Sequence, residues 1–157
     1  MNVILQIDKP FQIDTDPRPI QNAVQTTVQL VRGNTEDGVN ITITNEDAIQ
    51  QLNYQYRGLN TPTDVLSFAY SPDPDFPKID PMMSHYLGDI IIAYPVAKTQ
   101  AKVRGHSVQD EIILLAVHGT LHLLGFDHAT PAQKEKMWAV QQQIMTSLGL
   151  VHVQPTE

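Results

Sequence analysis

Residues 108–128 read VQDEIILLAVHGTLHLLGFDH. Ile112 to Val117 is the longest uninterrupted apolar run of the chain, and it leads directly into His118 and His122, four residues apart. An apolar run of this kind marks a helix buried in the core, and a spacing of four puts both imidazoles on one face of it. Gly125 then lets the chain leave the helix through a left-handed residue and bring His128 back to the same point. Three imidazoles with a fourth position open form the ligand set of a catalytic zinc site, whereas structural sites usually close all four positions with protein ligands. The alternative is three core histidines satisfied by hydrogen bonds. Each would then need its own buried partner, a requirement that a shared metal ion removes.

Outward from this stretch, the pattern predicts an α/β (α+β) fold with a small mixed four-stranded sheet, about five helices and a zincin-like three-His site. Val3–Ile7 reads as a strand, and Asp16 with Pro17 starts a helix that runs to about Val31. Ile20, Val24, Val28 and Val31 form its apolar stripe. Val39–Thr44 alternates as a second strand, and Asn45 caps a helix that stops at Gly58, which leaves Arg57 in its last turn. Asp64–Tyr70 and Leu87–Ala93 are two further strands, the latter with three consecutive isoleucines and both faces covered. Tyr94 or Pro95 opens a helix to about Arg104, Ser107-x-x-Asp110 starts the central one, and Thr130-Pro131-x-Gln133 starts the last. Met137, Trp138 and Met145 belong to the core side of that last helix. Ser71–Tyr86, with Pro72, Pro74, Pro77 and Pro81, is either a lid over the site or a simple connection. No repeat or linker divides the chain, so residues 1–157 are expected to form one domain.

Composition narrows the chemistry. Ten Lys and Arg against seventeen Asp and Glu give a net charge of −7, which speaks against a broad basic surface for duplex nucleic acid but leaves room for a local cleft. With no cysteine there is no disulfide, thiolate nucleophile or Cys-type zinc site, so a metal falls to His, Asp or Glu. Met1–Pro10 lacks the pattern of a secretory signal, and no apolar run approaches the roughly 18 residues of a membrane span. A soluble, cytoplasmic chain is expected.

The spacing His-x-x-x-His-x-x-Gly-x-x-His is also that of the metzincin peptidases, which place a Glu general base directly after the first His. Here that position is Gly119, and no replacement base stands out in the helix. Taken with Tyr56-Arg57-Gly58, Pro62-Thr63-Asp64-Val65-Leu66-Ser67-Phe68 and Leu87-Gly88-Asp89-Ile90, the run HGTLHLLGFDH resembles the YbeY family of bacterial metal-dependent endoribonucleases. The resemblance covers about Asn45 to Leu148 and departs from the family at Ala69, where members often carry proline. It implies one zinc ion on His118, His122 and His128, single-strand-specific RNA cleavage in ribosomal RNA maturation and ribosome quality control, and the ribosome or ribosomal proteins as partners. It also implies a catalytic part for Arg57 and for His118. Two other readings stay open: a zinc metallopeptidase-like hydrolase with a different base, and a non-catalytic ribosome assembly factor with a structural metal.

Several residues have weaker claims. Arg57 is either a bidentate phosphate ligand or a cation facing its own helix C-terminus or the solvent. Asp127 either orients a ligand imidazole or stabilises a turn, while Asp64 and Asp89 are expected to bond locally or meet solvent. Ser67 lacks a nucleophile setting and belongs to a strand. His85, His106 and His152 read as surface residues, and Lys98, Lys102 and Arg104, on one helix, either offer RNA a basic strip or form a solvated face.

Overall fold

Alternating apolar residues build strand β1, Asn2–Ile7, and the stripe of Ile20, Val24 and Val28 folds helix α1, Pro17–Arg32, back over it so that β2, Gly38–Thr44, pairs with β1 in parallel. The computed structural model describes residues 1–33, 36–70, 85–153 and 155. Asp16 caps α1 by accepting from the Arg18 amide at 3.2 Å. Asn45 does the same for helix α2, Glu46–Arg57, accepting from Ala48 at 2.8 Å. Strand β3 is Val65–Ala69 and β4 is Tyr86–Ala93, followed by α3, Tyr94–Arg104, α4, Val108–Leu123, and α5, Pro131–Ser147. A reciprocal capping box between Thr130 and Gln133 starts α5. A short 3-10 turn at Lys9–Phe11 is an addition to the expected elements. The lid expectation for Ser71–Tyr86 falls on residues 71–84, which lie outside the described residues.

The sheet order is β1-β2-β4-β3, parallel across β1, β2 and β4, with β3 antiparallel at the edge. β4 is therefore internal, and its isoleucines divide between two layers. Ile90 and Ile92, fully buried, join the main core with α1, α4 and α5, while Ile91 and Ala93 meet Ile49 and Leu66 in a smaller cluster under α2. Burying each such isoleucine contributes about 1.5–3 kcal/mol relative to leaving it exposed. No described helix is long and apolar enough to cross a membrane.

Helix α4 passes through the core, and Gly119 is what lets it lie close on the sheet. A Cβ there would stand 3.0 Å from Ile90 Cγ2 and 3.0 Å from Ser67 Oγ. Ser67 itself donates to the Gly119 carbonyl at 3.2 Å, tying β3 to α4, so its hydroxyl is spent on packing as a strand residue.

The start of α4 corrects two expectations. His106 is no surface residue: its side chain is 4% exposed and its Nε2 lies 2.7 Å from Oε1 of the fully buried Glu111. Arg104 turns inward as well, reaching both Glu111 oxygens at 3.1 and 3.2 Å, so the proposed basic strip reduces to the exposed Lys98 and Lys102. A buried carboxylate needs its charge and lone pairs met, and these two side chains meet them.

Candidate metal centre

The geometry of α4 carries two of the three imidazoles. His118 and His122 lie one turn apart with their rings 4.7 Å between centroids, and their Nε2 atoms are 3.2 Å apart. After Leu123 the helix ends, and Gly125, at φ +97°, turns the chain in a conformation that side-chain-bearing residues rarely adopt. Asp127 accepts from the His128 amide at 2.7 Å, which is the turn-stabilising role, and His128 comes to 5.0 Å from the His122 ring and 5.6 Å from that of His118. One ligand nitrogen from each of the three lies within 4.8 Å of the other two.

Hydrogen bonding decides which nitrogens face inward. His122 Nδ1 lies 3.0 Å from the Phe126 carbonyl, which only accepts, so the proton sits on Nδ1 and the Nε2 lone pair is left free. His118 Nδ1 lies 2.9 Å from Oε1 of Gln141, a side chain buried on α5, and donates to it in the same way. Two Nε2 lone pairs then face each other, an arrangement that is unfavourable without a cation between them. A tetrahedral ion with Zn–N bonds of about 2.0–2.1 Å holds its nitrogens about 3.3 Å apart. The donor set therefore fits a divalent metal ion.

Burial holds His118 below the ordinary imidazole pKa, opposed by its bond to Gln141 and reinforced by the nearby His128, while Asp64 pulls it up again. His122 is lowered as well, first by burial and then by His118 and His128, against the opposing effects of the Phe126 carbonyl and Asp127. Both rings are thus neutral near pH 7, as metal ligands must be.

A cavity of about 800 Å³ opens over the cluster, lined by Tyr56, Arg57, Asp64 and Phe68 together with the three histidines. Arg57 reaches it from the last turn of α2, which the left-handed Gly58 terminates. Among the described residues Arg57 makes no hydrogen bond or ion pair and is exposed, so the reading in which it serves its own helix end gains no support, whereas a solvent-facing side chain agrees with the structure. Arg57 is also the one Lys or Arg among the described residues lining this cavity. Asp64 accepts from the Val65 amide at 2.8 Å and yet lines the cavity, so the structure brings it closer to the site than its local bonding implied. Asp89 stays apart, accepting from the Tyr86 hydroxyl at 2.5 Å and, after burial, helping to push that phenol up. His85 and His152 are surface residues, within 4.0 Å of Asp37 and 3.3 Å of Asp110.

Two residues beside the three histidines have contacts that the sequence pattern did not carry. Trp138 is more than core: its ring meets those of His118 and His128 edge to face, each at 5.6 Å between centroids, and lines a second cavity of about 500 Å³ beside the first. Gln141 is the other, and its signal was a polar residue in register with Met137, Ile144 and Met145 on the buried face of α5. Partners that orient a ligand imidazole usually account for 10- to 100-fold in metal affinity. Gln141→Leu should therefore weaken metal binding by about one to two orders of magnitude, as read by competition with a chelator of known affinity. An unchanged affinity would show that Gln141 only packs.

Residues 6–149 match the family model described as Endoribonuclease YbeY. Proteins carrying that name are 43% identical over 84% of this chain and 85% of the relative in Desulfitobacterium hafniense, and 49% identical over 73% of this chain and 75% of the relative in Moorella thermoacetica. The Roseiflexus relative is 42% identical over 94% of this chain and 93% of its own length. The solution structure of TM1509 from Thermotoga maritima superposes with a TM-score of 0.56 at 24% identity, covering 94% of this chain and 91% of that one, which supports the fold alone.

Proposed function

Because the chain belongs to the Endoribonuclease YbeY family, we propose that it is a zinc-dependent, single-strand-specific endoribonuclease of ribosomal RNA maturation and ribosome quality control. The observation that carries the reading is the meeting of three imidazoles, whose ligand nitrogens lie within 4.8 Å of one another, with an arginine that has no partner among the described residues, in one open cavity. His118, His122 and His128 would hold the ion, and zinc suits an all-imidazole set, although nickel and cobalt share that preference. When bound, such an ion supplies a Lewis acid for a phosphoryl oxygen and a water acidified towards neutral pH.

The chain's own residues do the rest. Gln141 and the Phe126 carbonyl keep the protons of His118 and His122 on Nδ1, turned away from the cavity. Arg57 presents paired N–H groups to the phosphate and stabilises the negative charge that builds on its oxygens. Whether water or the ribose 2′-hydroxyl attacks phosphorus is read from the products, since a 2′,3′-cyclic phosphate end requires the hydroxyl.

A net charge of −7 and a single Lys or Arg among the described residues lining the cavity mean that few phosphates are neutralised by the chain's own side chains. Recruitment by a ribosomal partner already on the RNA, inside the cytoplasm, follows as part of the same proposal. The peptidase alternative lacks its base, and Gly119 explains why: a glutamate there would be driven into Ile90 and Ser67.

The deciding experiment incubates the metal-loaded and the chelated protein with single-stranded RNA, duplex RNA and an unfolded protein. Cleavage of single-stranded RNA alone, lost on chelation and restored by zinc, is expected. Cleavage of the protein would favour the peptidase, and no cleavage of any substrate would favour the assembly factor.

A further inference from the structure

Beside Arg57 the cavity wall is aromatic. Tyr56 lines it next to Arg57 and is 61% exposed; Tyr54 on the same helix is as exposed, but it does not line the cavity. Its ring centroid is 5.1 Å from that of Phe68, with the planes inclined at 55°. Phe68 is anchored from below, packed on the cluster of Ile49, Leu66 and Ala93, so it supports an edge of Tyr56 and leaves most of the ring in contact with water. Among the described residues the Tyr56 hydroxyl has no hydrogen-bond partner.

We propose that Tyr56 is a base-stacking subsite, which takes the nucleobase adjacent to the phosphate held at Arg57. The inference rests on the nuclease reading above and extends it to the way substrate is gripped. Charge supplies little of the grip, because Arg57 is the one Lys or Arg among the described residues lining the cavity, a metal ion adds charge only at the three histidines, and the net charge of −7 repels polyanions. An exposed aromatic ring can supply it, since every base has a face to stack and stacking tolerates any sequence. Only an unpaired base can turn out onto such a ring, so the same contact selects single strands over duplexes. The rigid support from Phe68 lowers the cost of ordering the ring when the base arrives.

The test is steady-state cleavage of a short single-stranded RNA by the metal-loaded protein and by Y56A and Y56F, each with intact substrate and with substrates abasic on one or the other side of the cleaved bond. Y56A should lower kcat/KM by about 10- to 100-fold, the range that base stacking usually supplies, and Y56F should restore it. An abasic residue at one flanking position should cost the wild type a similar factor and cost Y56A less than about twofold, because the contact is already gone. The salt dependence of binding should stay shallow and unchanged in Y56A, since no phosphate contact is removed.

Y56A activity within twofold of wild type, or losses from Y56A and the abasic site that multiply, would overturn the stacking subsite while leaving the nuclease intact. A wild-type protein that cleaves no RNA overturns both. Unfolding midpoints of Y56A and wild type should agree, because the ring is mostly exposed.

Discussion

His122→Ala is expected to release the metal and to lower cleavage of single-stranded RNA by about a thousandfold or more. His122 offers one of three nitrogens that lie within 4.8 Å of one another and could hold a metal ion, and no other described Asp, Glu or His joins the group to replace it. Lewis-acid stabilisation by a bound metal is worth several kcal/mol, and each 1.4 kcal/mol is tenfold in rate. The measurement pairs metal stoichiometry with single-turnover cleavage, and full activity in a variant that holds no metal would refute the metal's part. The variant should fold, since His122 is only partly buried and α4 keeps its apolar face.

The same site makes a pH signature. Burial lowers His118 and His122 in the folded chain from their ordinary value of 6.5, so below that pH the unfolded chain binds more protons than the folded one. Stability of the chelated protein therefore falls as the pH drops below about 6.5 and is recovered as it rises, and His122→Ala should flatten part of that fall.

Local signals carried much of this architecture. The side chains of Asp16, Asn45, Ser107 and Thr130 each accept from the backbone at the helix start where they were expected, and the stripe of Ile20, Val24 and Val28 faces the core. The three-His cluster was equally legible, because a spacing of four on one helix and a glycine turn are both matters of short-range geometry. Long-range partners were not. That β3 runs antiparallel against β4, or that Ser67 reaches Gly119, depends on residues more than fifty positions apart in the second case and on pairings that no local pattern encodes. His106 and Arg104 were misread for the same reason: their partner Glu111 opens an apolar run, where a lone carboxylate in a buried helix was the available sign of two cations nearby. Gln141 was hidden by its own ordinariness among the glutamines of α5, although its place between Met137 and Ile144 required a buried amide to have a partner.

Arg57→Ala should reduce cleavage by about 100- to 1,000-fold, the range found when a preorganised donor to developing negative charge is removed. Metal content should not change, because Arg57 is not in the three-His group, and stability should move by less than about 0.5 kcal/mol, because the side chain has no bond to lose among the described residues. That combination distinguishes Arg57 from the histidines, whose loss removes metal and activity together. Arg57→Lys is the sharper variant. Lysine keeps the charge in the cavity but offers a point ammonium in place of a planar pair of donors, so it should recover only part of the rate if the phosphate is held in bidentate fashion. Full recovery would mean that charge alone is at work and that the fork geometry is irrelevant. No recovery, with substrate affinity intact, would place the contribution of Arg57 in the transition state, where charge on the phosphoryl oxygens is greatest.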